Sequence, residues 1–302
     1  MSTSLVTKIL RAVADLPQSF RRTPNPRIVM TLLVKNEEDM IERHLQYHKQ
    51  MGVDAFIVTD NNSTDHTPEI LARYVKKGWI VEVIEEKSSG YEQKKWVDRM
   101  AWLAKTKYHA DWIINADADE FWYAPSGNLK NELGQTDHNV LRCCLYNMLP
   151  DDARPYWQWD KRVLPIPQPN DYNLSPYSIY GRYTYKVAHR AAGYLQISMG
   201  NHKVAMFPKK QANATIYIYH FTIRGREQFL QKMINGGREL ETHKGRHGGR
   251  HWRYFYELYK QGKLEEEYDR VVGNNVYDRL VTEGYIRQDT TLADFLSKTI
   301  VR

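Results

Sequence analysis

The sequence has no apolar run approaching the roughly 20 residues that a helix needs to cross a bilayer. Its first stretch, MSTSLVTKILRAVADL, sets Lys8, Arg11 and Asp15 among the apolar positions and reads as neither a spanning helix nor a signal peptide. Cysteine is nearly absent. The only two, Cys143 and Cys144, are neighbours on a strand-like run where a disulfide framework is implausible, and they are read as small core residues of a protein in a reducing, cytoplasmic compartment. No glycine occurs before Gly52. That removes the glycine-rich phosphate loop which a sugar-phosphate nucleotidyltransferase carries after its first strand, and Walker-type and dinucleotide fingerprints are missing too. Repeats and low-complexity linkers are also lacking.

What is present is an ordinary globular composition, 42% hydrophobic and 26% charged, in a 302-residue chain long enough for one large domain with an appendage. The net charge of +7 admits three kinds of partner: nucleic acid, anionic lipid, or a polyanionic substrate. Basic residues gather towards both ends, in Arg21, Arg22 and Arg27 and again from Arg238 to Arg253, as suits a phosphate-bearing ligand or an anionic membrane face. Leu5, Ile9, Val13 and Leu16 form a face that either packs on the domain or rests peripherally on such a membrane.

The first half alternates strand-like and helix-like patterns, the sequence form of a parallel sheet flanked by helices. Ile28 to Val34 is apolar except for Thr31, as for a strand covered on both faces. A helix over Glu37 to Met51 follows, then a strand over Ala55 to Thr59, a helix from Thr67 and Pro68, a strand over Trp79 to Ile84, a helix over Glu92 to Tyr108, and a strand around Trp112 to Ile114. Further on, Val140 to Leu145 and Ile216 to Tyr219 read as strands, with residues 149 to 182 as a long surface excursion between them. From Glu227 the pattern is helical, interrupted by a Gly-rich basic stretch from Gly236 to Arg250.

At the end of the fourth strand, Trp112 to Ile114 lead into Asn115, Ala116, Asp117, Ala118, Asp119 and Glu120. In an extended segment Asp117 and Asp119 share one face about 6.5 Å apart, where two carboxylates can hold a hard divalent cation or simply cap the next element. In open α/β sheets, ligands bind beyond the carboxyl ends of the strands. The first two strands end comparably, in Asn36-Glu37 and in Asp60, Ser63, Thr64, Asp65 and Thr67. With Asp117 to Phe121 and the later His220-Phe221 and Gln228-Phe229, the order of these motifs resembles the family 2 glycosyltransferases over roughly residues 28 to 237.

The resemblance implies a GT-A fold, an α/β mixed and mainly parallel sheet flanked by helices. It implies an N-terminal helical extension over 1–26, a catalytic domain over 27–237 and a C-terminal helical extension over 238–302. It further implies transfer from a nucleotide-sugar donor to a glycan or other hydroxyl acceptor, with Mn²⁺ or Mg²⁺ as cofactor. Glu37 and Asp60 would contact the nucleoside, Asp117 the ribose or the metal, and Asp119 the metal directly. His220 resembles the histidine that completes such a site, with His202 as competitor. Gln93 and Trp96 either line the donor pocket or sit on an ordinary helix face. Inverting members need a carboxylate base, for which Asp151 and Asp152 come first and Glu227 next. The Gly236 to Arg250 stretch, including Arg238, either closes on the diphosphate or is a solvated loop. Tyr156, Trp157, Trp159, Tyr172 and Tyr177 either stack on sugar rings or pack their own loop down. The rival readings are the nucleotidyltransferase and a non-catalytic carbohydrate- or nucleic-acid-binding protein; nucleic acid is the less expected partner.

Overall fold

The computed structural model describes residues 5–87, 92–182, 184–242 and 249–299. The chain forms two compact units, one of Met1–Leu145, Thr184–Tyr219 and Thr299–Arg302, the other of Tyr146–Tyr183 and His220–Lys298.

In the first unit, α1 (Leu5–Ala14), β1 (Ile28–Val34), α2 (Ile41–Gln50), β2 (Ala55–Asp60), α3 (Thr67–Lys76), β3 (Ile80–Glu85) and α4 (Gln93–Thr106) lead to β4 (Trp112–Ala116), β5 (Glu120–Tyr123), α5 (Leu129–Gln135) and β6 (Val140–Asn147). After β7 (Lys161–Val163), which lies in the second unit, come β8 (Thr184–Arg190), β9 (Tyr194–Ile197), β10 (Val204–Met206) and β11 (Gln211–His220). One sheet runs in the order β3-β2-β1-β4-β8-β6-β11-β5. Strands β3, β2, β1 and β4 pair in parallel, and β8 is antiparallel to both β4 and β6. This is the mixed α/β architecture that the alternation of patterns leads one to expect. Helix α4 packs Val97, Met100 and Ala101 against Val29, Ile57 and Ile113 of the parallel strands. Cys143 is buried, Cys144 half-buried, and neither is in a disulfide.

The strand β1 runs over the residues expected, because a strand covered on both faces can only be apolar throughout. Helix α2 does not. It begins at Ile41 instead of Glu37, since the chain in front of it is held by side chains of the β2–α3 loop. The N–H groups of Asn36, Glu37 and Glu38 donate to Ser63 Oγ at 3.0 Å, Thr67 Oγ1 at 2.9 Å and Asp65 Oδ2 at 3.1 Å.

Helix α2 also covers the sheet's last strand. An edge strand leaves backbone groups without a neighbouring strand to pair them. Here His44 Nε2 lies 3.1 Å from the Glu120 carbonyl, Tyr47 donates its hydroxyl to the Trp122 carbonyl at 3.3 Å, and the Trp122 N–H donates to His48 Nε2 at 3.1 Å. Both histidines are fully buried, and burial lowers His44 to about 3, so they serve as neutral hydrogen-bonding groups.

The second unit holds β7, α6 (Arg226–Thr242), α7 (Arg250–Lys260), α8 (Leu264–Val272), α9 (Tyr277–Thr282), β12 (Ile286–Gln288) and α10 (Thr291–Thr299). Residues 149–182 are not the surface excursion expected from their proline and asparagine. Leu149, Val163, Ile166, Tyr172, Leu174 and Tyr180 share one core with Phe229, Phe255, Tyr268 and Val271. Their apolar side chains point inward, and irregular backbone masks that periodicity in sequence. The aromatic residues Tyr156, Trp159 and Tyr172 are buried here.

The expected break at Gly236 is also absent, because Gly236 and Gly237 lie inside the continuous helix α6. A Cβ on Gly236 would come within 2.8 Å of the Trp252 ring, and one on Gly237 within 2.3 Å of Tyr256 Cβ. The two glycines therefore let α6 and α7 approach closely. His243, Lys244, Arg246 and His247 lie outside the described residues. Alanine in a helix interior gains up to about 1 kcal/mol over glycine, but forcing a methyl against the root of Tyr256 costs about 1–3 kcal/mol. Gly237→Ala should therefore destabilise the protein by about 1–2 kcal/mol in urea unfolding. An unchanged or raised midpoint would show that the helices are not held this close.

Candidate active site

Strands β2, β1 and β4 are parallel neighbours, so their carboxyl ends lie side by side on one edge of the sheet. The chain winds from β1 to β2 and β3 on one side and places β4 on the other, which makes the gap between β1 and β4 the topological switch point where ligands enter such sheets. Three segments singled out in the sequence meet this edge: Asn36-Glu37 after β1, Asp60 at the end of β2, and Asp117 to Glu120 after β4.

Much of the second motif is structural. Asp60 sits opposite Val34 in the pairing of β1 with β2, and its Oδ1 accepts from the Ser63 N–H at 3.1 Å and the Ser63 hydroxyl at 2.6 Å. Asn36 Oδ1 accepts from the Thr64 N–H at 2.8 Å, and Asp65 Oδ1 from the Thr67 N–H at 2.9 Å. Burial alone would raise the Asp65 carboxyl, but hydrogen bonds from Thr67 and from the Glu38 N–H outweigh it and hold it below the ordinary carboxylate value. Ser63, Asp65 and Thr67 thus tie two loops together and fix the edge that Glu37 and Asp60 occupy.

The acidic segment after β4 is not extended. The Glu120 N–H donates to the Asp117 carbonyl at 3.1 Å, closing a turn over Asp117, Ala118 and Asp119, so the argument that residues two apart share a face does not apply. The turn brings three carboxylates together by another route, with ligand oxygens of Asp119 and Glu120 within 4.8 Å of one another. Lys186 of β8 donates from Nζ to Asp117 Oδ2 and to Glu120 Oε1, both at 2.8 Å. The side chains of Lys186 and Glu120 are only 5% and 1% exposed. Burial works against the Lys186 charge; the two carboxylates outweigh it and hold the ammonium well above the ordinary lysine value. One ammonium thus faces the carboxyl groups of a turn that carries three acids.

Behind the turn a buried polar chain fixes β1, β4 and β8. Thr31 donates to Asn115 Oδ1 at 2.7 Å, and Asn115 Nδ2 lies 3.2 Å from His189 Nε2. His189 Nδ1 is 3.0 Å from the Arg190 carbonyl, and burial lowers the imidazole to about 4. The neutral tautomer with its proton on Nδ1 satisfies every one of these bonds.

Sequence reasoning missed Lys186. Its signal is a lone lysine in the run Thr184 to Arg190, since a lysine buried in a strand must meet an acid. The remaining candidates divide by unit. In the first, Gln93 is half-buried and Trp96 buried on α4, while His202 is exposed and sits 2.8 Å through Nδ1 from the Tyr185 carbonyl. In the second, His220 ends β11 and its Nδ1 donates to Asn147 Oδ1 at 2.9 Å. Asn147 is oriented by donating from Nδ2 to the Ile179 carbonyl at 2.8 Å. A histidine whose Nδ1–H is held this way presents Nε2 as a lone-pair donor, the usual support of a metal-binding imidazole. Asp151 is engaged by Arg154 at 2.7 Å, whose guanidinium also meets Asp160 at 2.8 Å and the Gln158 carbonyl at 3.1 Å. Asp152 is exposed and accepts the Arg226 N–H at 3.2 Å, Glu227 is exposed in the first turn of α6, and Arg238 is exposed further along it.

The profile of the family described as Glycosyltransferase family 92 matches residues 30–261. Among solved structures, the chain is similar to TarS 1–349 of S. aureus in complex with UDP, with a TM-score of 0.37 and 14% identity over 81% of this chain and 71% of that one. It is similar to the mannosyltransferase PcManGT of Pyrobaculum calidifontis in complex with GDP-Man and Mn²⁺, with a TM-score of 0.41 and 14% identity over 96% and 86% of the two chains. It also resembles the glucosyl-3-phosphoglycerate synthase of Mycobacterium tuberculosis in complex with Mn²⁺, UDP and glucosyl-3-phosphoglycerate, with a TM-score of 0.29 and 18% identity over 49% of each chain. No curated protein matches the chain. The sequence reading holds at the level of a glycosyltransferase; the matching family is 92, and an assignment to family 2 gains nothing from it.

Proposed function

Because the chain belongs to glycosyltransferase family 92, we propose that it moves a sugar from a nucleoside-diphosphate donor to a hydroxyl acceptor, with a divalent cation held at the carboxyl edge of β1, β2 and β4. The observation that carries this reading is the acidic turn after β4, set at the switch point of the sheet with three acidic side chains and one lysine. A diphosphate is itself an anion, so an acidic turn can receive it only through a cation.

In this reading Glu37 and Asp60 line the nucleoside side. Asp60 keeps Oδ1 on Ser63 and offers Oδ2 to a base N–H. Asp117 faces the ribose while tied to Lys186, and Asp119 supplies the charged oxygen ligand. The sequence resemblance adds His220, whose Nδ1 is held by Asn147, as the further ligand. A donor set of carboxylate oxygen and imidazole nitrogen fits Mn²⁺ well and Mg²⁺ less closely. When bound, the cation acts as a Lewis acid on the diphosphate as its charge rises with departure of the sugar.

Thermal unfolding with UDP or GDP, each with Mn²⁺ and again in chelator, tests the proposal. A ligand at a hundred times its Kd stabilises by about 2.7 kcal/mol. One of the two nucleotides should raise the midpoint by several degrees with Mn²⁺ and only slightly in chelator. Equal stabilisation in both, or none with any nucleotide, rejects the metal-bridged site.

A further inference from the structure

Helix α1 is turned the opposite way from an ordinary amphipathic surface helix, which buries its apolar stripe and exposes its charges. The face it lays on the first unit is Lys8, Ala12 and Asp15, one helical stripe at spacings of four and three. Lys8 Nζ meets Asp98 at 2.7 Å and Asp15 meets Lys105 at 2.5 Å, and all four side chains are largely buried. The Asp15 carboxylate also accepts the Gly193 N–H at 3.1 Å. Ala12 is fully buried between the two charged residues.

The opposite stripe, Val6, Ile9, Leu10 and Val13, is left in solvent, with exposures of 67%, 42%, 66% and 46%. Leu16 and Phe20 continue the exposed apolar surface beyond the helix. Phe207, 47% exposed, adjoins the same segment, since the space above Gly193 is bounded by its carbonyl and by Ser19 Oγ. Arg11 on the helix, 5.9 Å from the centre of the Trp102 ring, and Arg21 and Arg22 in the chain after it are exposed. Over residues 1–27 the sequence carries five basic side chains (Lys8, Arg11, Arg21, Arg22, Arg27) against one acid, so four of the chain's net seven positive charges belong to this segment. The single acid, Asp15, is consumed by Lys105.

We propose that this face of α1 and the turn after it dock on an anionic lipid bilayer, the apolar stripe entering the interface and the arginines meeting the headgroups. Ion pairs to the domain fix the helix with its apolar stripe already outward, so docking requires no rearrangement. Among the described residues no helix is long and apolar enough to cross a membrane, and the contact is interfacial. It is independent of the donor site, because no residue of the acidic turn takes part.

Flotation of the full chain with large unilamellar vesicles tests this, using phosphatidylcholine alone and phosphatidylcholine mixed with phosphatidylglycerol. The protein should float with the anionic vesicles, much less with the neutral ones, and less as salt rises. Ile9→Glu combined with Leu10→Glu changes only solvent-facing positions, so it should keep the unfolding midpoint while weakening the partition by at least about tenfold. Failure to float with anionic vesicles overturns the proposal, as does flotation unaffected by the double substitution. A dimer in gel filtration that the same substitution dissociates, without vesicle binding, would assign the face to a second copy of the chain and also overturn it.

Discussion

Asp119→Asn should lower sugar transfer by about three orders of magnitude while the protein stays folded and keeps most of its affinity for the bare nucleoside. The substitution preserves size and removes the charge that a cation needs. Lewis-acid stabilisation of a leaving diphosphate supplies several kcal/mol in the transition state, and each 1.4 kcal/mol is about tenfold in rate. The loss should fall on kcat, since the diphosphate gains charge only as the sugar departs. Asp117 and Glu120 stay bound to Lys186 in this variant, so the turn itself should persist. His220→Ala should show the same pattern with a smaller loss. The checks are initial rates with UDP- and GDP-sugars in Mn²⁺, and thermal stabilisation by the nucleoside alone. An Asp119→Asn protein with near-normal, metal-stimulated transfer would remove the turn from the chemistry.

The parts of this molecule legible in the sequence are those whose physics is local. A strand covered on both faces has to be apolar, and β1 runs over the residues its composition indicates. The positions of Asp60 and Asp117 at strand ends follow from the same argument, because an apolar run that stops in acids has reached the edge of a sheet. What sequence could not show depends on partners far along the chain. Helix α2 starts late because Ser63, Asp65 and Thr67 take the N–H groups in front of it. Gly236 and Gly237 look like a loop until Trp252 and Tyr256 are seen to need the space. His44 and His48 on α2 look like surface polar residues, and they are buried because the edge strand β5 needs hydrogen-bond partners. Lys186 is separated from Asp117 by 69 residues, and no spacing rule links the two.

That lysine carries the second large effect. Lys186→Met keeps most of the side chain's length and deletes its ammonium, taking from the fully buried Glu120 and from Asp117 the cation that they share. Removing one partner of a buried pair costs about 3–5 kcal/mol, far more than the pair contributes net, because an unpaired charge remains in a poorly solvated place. The loss should read directly as a lower urea midpoint. Its pH dependence identifies the cause. In the parent protein the folded-state lysine titrates above its unfolded value of about 10.4, so its contribution is fully present below that pH and is lost only as pH rises further. In the variant the Glu120 carboxyl, buried and deprived of the Lys186 ammonium, should titrate above its unfolded value of about 4.3, so the native state binds the extra proton. Stability should then rise as pH falls, and the gap to the parent protein should narrow between about pH 8 and 5. Adding Glu120→Gln to Lys186→Met removes the stranded charge and should recover most of the lost stability at neutral pH. Transfer should recover less, because the turn that presents Asp119 would have lost the cation that gathers its carboxylates. A Lys186→Met protein as stable as the parent at pH 7.5, or a gap that widens on acidification, would show that Lys186 is not what holds this turn in place.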